Sequence, residues 1–272
     1  MPGLLRLIHP APALTVIALS GALGLILAAQ ADVGPFTVRL GLTTLAVAGS
    51  QVLTGALNDW ADRDRDRRVQ STKPIPSGAT TPQAAFGVAV FGGALQLAVS
   101  VPLGPLALVL GAAASASAVA YNLWLSRTPL SVLPYLFSFG LLPLWVAAGV
   151  GVDLGRVGIA PLLVGPFAAA AHLANALRDF DADARIGSRN LAQVLGRRAT
   201  FALAWGIAVA VGAGVGVALL IGDKAPWSEL SLGLGAVGLA AVAQGIFGPR
   251  RLWAGMLAAA VCWTVAWALA TG

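Results

Sequence analysis

Seven of the chain's 11 acidic residues fall in two short stretches, Asn58 to Gly78 (NDWADRDRDRRVQSTKPIPSG) and Asn175 to Gly196 (NALRDFDADARIGSRNLAQVLG). Carboxylates crowded together beside a hydrocarbon phase repel one another, and their pKa values rise unless a cation lies between them. Each cluster therefore calls for a cation. The ligands on offer are carboxylates and amides, and the whole chain holds only two histidines and one cysteine. That set suits a hard divalent ion such as Mg²⁺ rather than zinc or copper. Magnesium keeps several waters and usually binds through one or two carboxylates plus substrate phosphates. Two clusters facing one cavity would hold two or more ions bridged by a diphosphate. Arg63, Arg65, Arg67, Arg68, Lys73, Arg178, Arg185 and Arg189 are interleaved with the acids. They offer donors for the outer oxygens of that diphosphate, whose charge grows as it leaves. Neither a P-loop nor a Rossmann glycine fingerprint occurs, so metal rather than a backbone cradle would hold the phosphates.

Helical phase sharpens the choice among the acids. If a helix runs on through the first stretch, Asp59 at 0° puts Asn58 at about 260°, Asp62 at about 300° and Asp66 at about 340°, with Asp64 turned away at about 140°. Counted the same way from Asp179, Asn175 lies at about 320°, Asp183 at about 40° and His172 at about 20°, with Asp181 at about 200°. One face collects the polar groups in each case. On that face His172 is a candidate proton acceptor, or else a hydrogen-bonded interior histidine.

The elements that must carry these clusters are dictated by composition. Of 272 residues 58% are hydrophobic and 10% charged, with a mean hydropathy of +0.83, which excludes an ordinary soluble domain and a disordered chain. Apolar runs of spanning length read as nine segments, near 10–30, 37–57, 82–101, 105–124, 130–150, 157–177, 199–221, 229–247 and 252–271. The expectation is an all-α integral membrane protein, residues 1–272 forming a single domain of nine transmembrane helices around a central cavity, with polar loops after helices 2 and 6. An odd number of crossings puts 14 of the 17 basic residues on the face of the N-terminus, leaving Arg39, Arg156 and Lys224 on the other. The positive-inside rule then predicts a cytoplasmic N-terminus in a multi-pass protein of the cell (inner) membrane. The net charge of +6 thus reads as orientation and a grip on diphosphate, and no nucleic acid is expected. Arg6, the first apolar run and Ala29-Gln30-Ala31 loosely imitate a secretory signal, but keeping the run as a span is what makes the charge parity work. The lone Cys262 excludes a disulfide within the chain.

Asn58-Asp59-x-x-Asp62-x-x-x-Asp66 resembles the first aspartate motif (NDxxDxxxD) of the UbiA superfamily of intramembrane prenyltransferases. Lys73-Pro74-Ile75-Pro76-Ser77-Gly78 is similar to the RPLPSG or RPIPSG that follows it. Asp179-x-x-x-Asp183, with Arg178 before it and Gly187 after it, resembles the second motif, DxxxD. The resemblance implies that a polyprenyl diphosphate is bound through Mg²⁺ and ionised, and that an aromatic or lipid-precursor acceptor captures the allylic cation. It implies Asp59, Asp62, Asp66, Asp179 and Asp183 as metal-holding catalytic residues. Asn58, Arg68, Lys73, Tyr121, Arg127, Asn175 and Arg178 are implied on the substrate. Where many relatives read YxxxLKRT, this chain has Ser126 in place of the Lys of Tyr121-Asn122-Leu123-Trp124-Leu125-Ser126-Arg127-Thr128, and neighbouring Arg127 is the candidate substitute. Membrane lipids are expected partners, with no obligate protein partner.

Three readings remain open from sequence. Prenyl transfer to an acceptor is the first, and a UbiA-type membrane terpene cyclase or diphosphate lyase needing no acceptor is the second. The third is a transporter or scaffold with merely topological charged loops, which the absence of mid-membrane charges in segments 3, 7 and 9 disfavours. His9, ahead of Pro10, reads as an interface marker; Trp60, Trp124, Trp145 and Trp205 read either as interface residues or as ring faces that stabilise a cation, the former being commoner. Gly212-x-x-x-Gly216 reads as helix packing within the bundle.

Overall fold

The computed structural model describes residues 2–34, 37–222 and 228–271; Lys224, counted above on the less basic face, lies outside them. All regular structure among the described residues is helical. A short α1 (Pro2–Leu7) precedes α2 (Pro10–Gln30), α3 (Val38–Val69), α4 (Pro82–Ser100), α5 (Pro105–Leu123), α6 (Leu133–Val150) and α7 (Ala160–Ala176). Two short helices, α8 (Phe180–Arg185) and α9 (Leu191–Leu195), lead to α10 (Arg197–Gly222), α11 (Ser228–Ala243) and α12 (Pro249–Thr271). Eight helices are long and apolar enough to cross a membrane, and α7, the sixth of the nine expected, is an apolar helix of 17 residues. The protein is a multi-pass integral membrane protein.

Local chemistry sets the helix starts. Thr37 and Thr81 cap α3 and α4 by accepting from the backbone N–H three residues on, and proline opens α2, α4 and α5 in the first turn, where its missing N–H costs nothing. The chain divides into two compact units, residues 1–126 with 141–156 and residues 127–140 with 157–272. Helix α6 supplies residues to both.

In the first unit α3 and α4 meet backbone to backbone: a Cβ on Gly49 would lie 2.8 Å from the Gln96 nitrogen, and one on Gly92 2.7 Å from the Gly49 carbonyl oxygen. Small residues permit this approach, and a buried polar chain holds it. Ser50 and Ser115 share a hydrogen bond of 2.8 Å, and the Ser115 hydroxyl donates to Gln96 Oε1 at 2.7 Å. In hydrocarbon such groups need partners within the protein. Arg39 Nη2, at the start of α3, donates to the carbonyls of Leu103 and Ala148, which follow α4 and end α6. Those three ends therefore share one face, as the charge parity requires. Trp145 departs from the interfacial expectation: it is 2% exposed and packs over Gly111, because a glycine on α5 leaves room for an indole in the core.

The core of the second unit joins α7, α10, α11 and α12 around Trp263, whose indole N–H donates to the Gly235 carbonyl. Of the Gly212/Gly216 pair, only Gly212 meets neighbours, Leu239 and Trp263, while Gly216 faces open space.

Candidate functional site

The first acidic cluster is built on α3, which runs unbroken for 32 residues through the acidic stretch. Continuity is what makes the phase argument hold. Asp59, Asp62 and Asp66 are buried, at 1%, 4% and 0% exposure, whereas Asp64, predicted to point elsewhere, is exposed. After α3 the Lys73–Gly78 segment folds back in a series of turns, closed by Ser77 N–H to the Lys73 carbonyl and by the positive φ of Gly78. This return brings Lys73 Nζ to 2.8 Å from Asp66 Oδ2 and 3.2 Å from Asp59 Oδ1. Burial opposes the Lys73 charge, but the Asp59 and Asp66 carboxylates outweigh it and hold the ammonium above its ordinary pKa.

The structure also recruits a residue that sequence reasoning placed elsewhere. His9 Nε2 lies 3.1 Å from Asp59 Oδ1, and its backbone sits at φ 47°, a left-handed conformation uncommon for a non-glycine residue. It is thus a partner of the acidic cluster, a role its sequence position did not signal. The residues just before this turn are fixed, with Leu7 fully buried and Arg6 donating to the Thr72 carbonyl. Arg6, His9, Pro10, Thr72, Lys73 and Pro74 line a cleft of about 270 Å³ here. Asn58 Nδ2 donates to Asn122 Oδ1 at 3.3 Å, and Asn122 Nδ2 donates to the Thr54 carbonyl at 2.8 Å, so a residue adjacent to Tyr121 steadies the turn before Asp59. Arg65 pairs with Asp62 at 3.2 Å. Arg68 is exposed in the last turn of α3, off the carboxylate face, where its charge suits the helix C-terminus.

The donor set fits Mg²⁺. Asp59 Oδ2 and Asp66 Oδ1 are buried acceptors with no hydrogen bond, and an ammonium already bridges their carboxylates. Among the described residues no three His, Cys, Asp or Glu groups are placed to hold one ion together.

The second cluster, in the other unit, is built differently. Helix α7 ends at Ala176, and Asp179 stands at the N-cap position of α8. The phase count from His172 through Asp183 therefore fails at this break. Asp181 and Asp183 in the first turn of α8 favour a new start there, because their charges suit a helix N-terminus. The i, i+4 relation of Asp179 to Asp183 survives, since the Asp183 N–H donates to the Asp179 carbonyl at 2.8 Å. Asp183 is buried and accepts from Asn190 Nδ2 at 2.7 Å, while Asn190 Oδ1 caps α9 through the Gln193 N–H. Asn190 was not singled out by sequence, although Asn followed three residues later by Gln is a capping signal. Asp181 is exposed, and a hydrogen bond from Arg197 holds its carboxyl below the usual range. Arg178 is exposed and donates to Asn175 Oδ1 at 3.3 Å. The Arg127 carbonyl accepts from the Arg189 N–H, tying the loop after α5 to the loop after α8. His172 is buried and stacks on Tyr135, ring centroids 4.3 Å apart.

Comparison with known proteins places this arrangement. A model of the UbiA prenyltransferase family matches residues 14–251. A digeranylgeranylglyceryl phosphate synthase of Halobacterium salinarum is 30% identical over 240 residues, covering 83% of this chain and 82% of that one. A 4-hydroxybenzoate octaprenyltransferase of Cupriavidus necator is 31% identical over 208 residues, covering 73% and 72%. In structure, a UbiA homolog from Archaeoglobus fulgidus bound to GPP and Mg²⁺ superposes with a TM-score of 0.74 at 17% identity, covering 97% of this chain and 98% of that one.

Proposed function

The chain belongs to the UbiA prenyltransferase family, and from that premise we propose that it transfers the prenyl group of a polyprenyl diphosphate, with Mg²⁺, to an aromatic or lipid-precursor nucleophile. The observation that carries this reading is the pair of buried carboxylates, Asp59 and Asp66, whose cation position is taken by the Lys73 ammonium. Carboxylates packed this way next to hydrocarbon are costly unless they serve to hold a cation. Asp59, Asp62 and Asp66 would supply metal ligands in the first unit, and Asp179 and Asp183 in the second. When bound, the metal neutralises diphosphate charge as it develops on the leaving group.

The allylic C1–O bond breaks with its electron pair leaving on the diphosphate. The acceptor's nucleophilic atom then bonds to C1 and gives up a proton. Lys73, relieved of its carboxylates, would bind the diphosphate's outer oxygens, and Arg127 and Arg178 are read as substrate-binding residues of the second unit. The apolar helices exclude water from the cation and accommodate the isoprenoid tail. The charge asymmetry supports a cytoplasmic N-terminus, and the cell (inner) membrane is the location proposed.

The test is product formation by the full chain in membranes supplied with geranylgeranyl diphosphate and a panel of phenolic, carboxylated and glycerophosphate acceptors. Transfer should require an acceptor and stop on chelation of Mg²⁺. Turnover with no acceptor would support the cyclase or lyase reading instead.

A further inference from the structure

Arg63 stands apart from the diphosphate role that its sequence position suggested. Its guanidinium lies 4.9 Å over the Trp60 ring and donates to the Trp60 carbonyl at 2.8 Å, and the nearest carboxylate is that of exposed Asp64 at 3.8 Å. It borders a groove of about 430 Å³ lined by Trp60, Arg63, Pro82, Gln83 and Phe86, with the Trp60 and Phe86 rings 5.1 Å apart. The lining is mostly apolar and carries a single charged side chain.

The position of the groove narrows the choice of ligand. It joins the polar end of α3, past its apolar stretch, to the first turns of α4, an apolar spanning helix. That is the depth at which headgroups meet hydrocarbon, where tryptophan and arginine are at home. Phe86, Val90 and Leu97 are all exposed and share one stripe of α4, within about 40° of one another. The stripe runs about 17 Å from the groove, close to half of a hydrocarbon core of about 30 Å. A ligand matching this surface has an anionic head and a long apolar tail. One guanidinium already shadowed by Asp64 balances one negative charge, which suits a phosphodiester better than a diphosphate.

We propose that the Trp60/Arg63/Phe86 groove binds an acidic phospholipid, with its phosphate against Arg63 and an acyl chain along Phe86, Val90 and Leu97. The site is separate from the buried Asp59 and Asp66 carboxylates. It would secure the polar end of the helix that carries them.

Native mass spectrometry of the full chain, released from micelles holding equal phosphatidylglycerol and phosphatidylcholine, tests this. Wild type should retain phosphatidylglycerol preferentially, and Arg63→Gln should reduce that preference by about fivefold, the weight of one basic residue at a membrane surface. Arg67→Gln, on the same helix and exposed, should keep it. Phe86→Ala should weaken retention of both lipids, reporting on the chain contact without touching the charge. Equal retention of the two lipids by wild type, or an unchanged preference in Arg63→Gln, would overturn the proposal. So would displacement of phosphatidylglycerol by inorganic phosphate alone, which would mark a small-anion site.

Discussion

In the first acidic region three carboxylates line one unbroken helix, two of them bridged by the Lys73 ammonium and the third paired with Arg65; in the second the helix breaks before its first aspartate, and the buried carboxylate is held by a neutral amide. An ammonium occupies a position that a divalent cation would take with one more unit of positive charge. The Asn190 amide, in contrast, orients Asp183 without competing for the same position. On the proposed reading the first region is a cation site occupied by Lys73 until metal arrives, and the second offers a ligand aimed in advance. Both regions also carry an exposed aspartate, Asp64 and Asp181, that serves as an internal control.

The largest effect is expected where buried carboxylate meets cation. Asp66→Asn or Asp59→Asn should lower prenyl transfer by about 10²–10³-fold or more, on the scale of losing one preorganised electrostatic contact in a transition state. Equal losses from Asp64→Asn would break the distinction between the buried and exposed faces. In the second region Asn190→Ala should raise the Mg²⁺ needed for half-maximal rate by about 10–100-fold, as loss of a group that orients a metal ligand does. Asp183→Asn should cost more than Asn190→Ala, and the reverse order would make Asn190 more than an orienting group.

Lys73→Met separates the regions further. Removing the resident ammonium should strengthen Mn²⁺ binding in the absence of diphosphate while weakening capture of the diphosphate by about tenfold, the worth of a charge-assisted hydrogen bond. Equilibrium titration with each ligand reads the two effects separately. The smallest effects belong to Asp64→Asn and Asp181→Asn, which should stay within about twofold of wild type because exposed ion pairs contribute little. Arg197 depresses the Asp181 pKa in the folded state. Its small stabilisation is thus present above the unfolded value and is lost as pH falls through the folded one. Thermal unfolding of Asp181→Asn and wild type should accordingly converge in acid.

How much of this was legible in the sequence follows from how local each interaction is. Asp59, Asp62 and Asp66 could be sorted from Asp64 because α3 continues at 100° per residue through the whole motif. The same count failed between His172 and Asp179, since acids at the start of α8 stabilise a new helix as readily as they extend an old one. The His9 to Asp59 contact bridges 50 residues and depends on a left-handed turn, for which histidine carries no spacing signal. Asn122 and Asn190 were ordinary amides until the fold set each beside a motif residue. The spans themselves were readable because hydrophobicity is summed over twenty residues, whereas the burial of Trp145 hung on one glycine of another helix.

Manganese binding to the purified full chain, followed by electron paramagnetic resonance with and without geranylgeranyl diphosphate, tests the central assignment most directly. Wild type should bind Mn²⁺ more tightly when the diphosphate is present, and Asp66→Asn should lose that enhancement. An Asp66→Asn protein that binds Mn²⁺ and diphosphate as wild type does would contradict the assignment of the first cluster as the metal site.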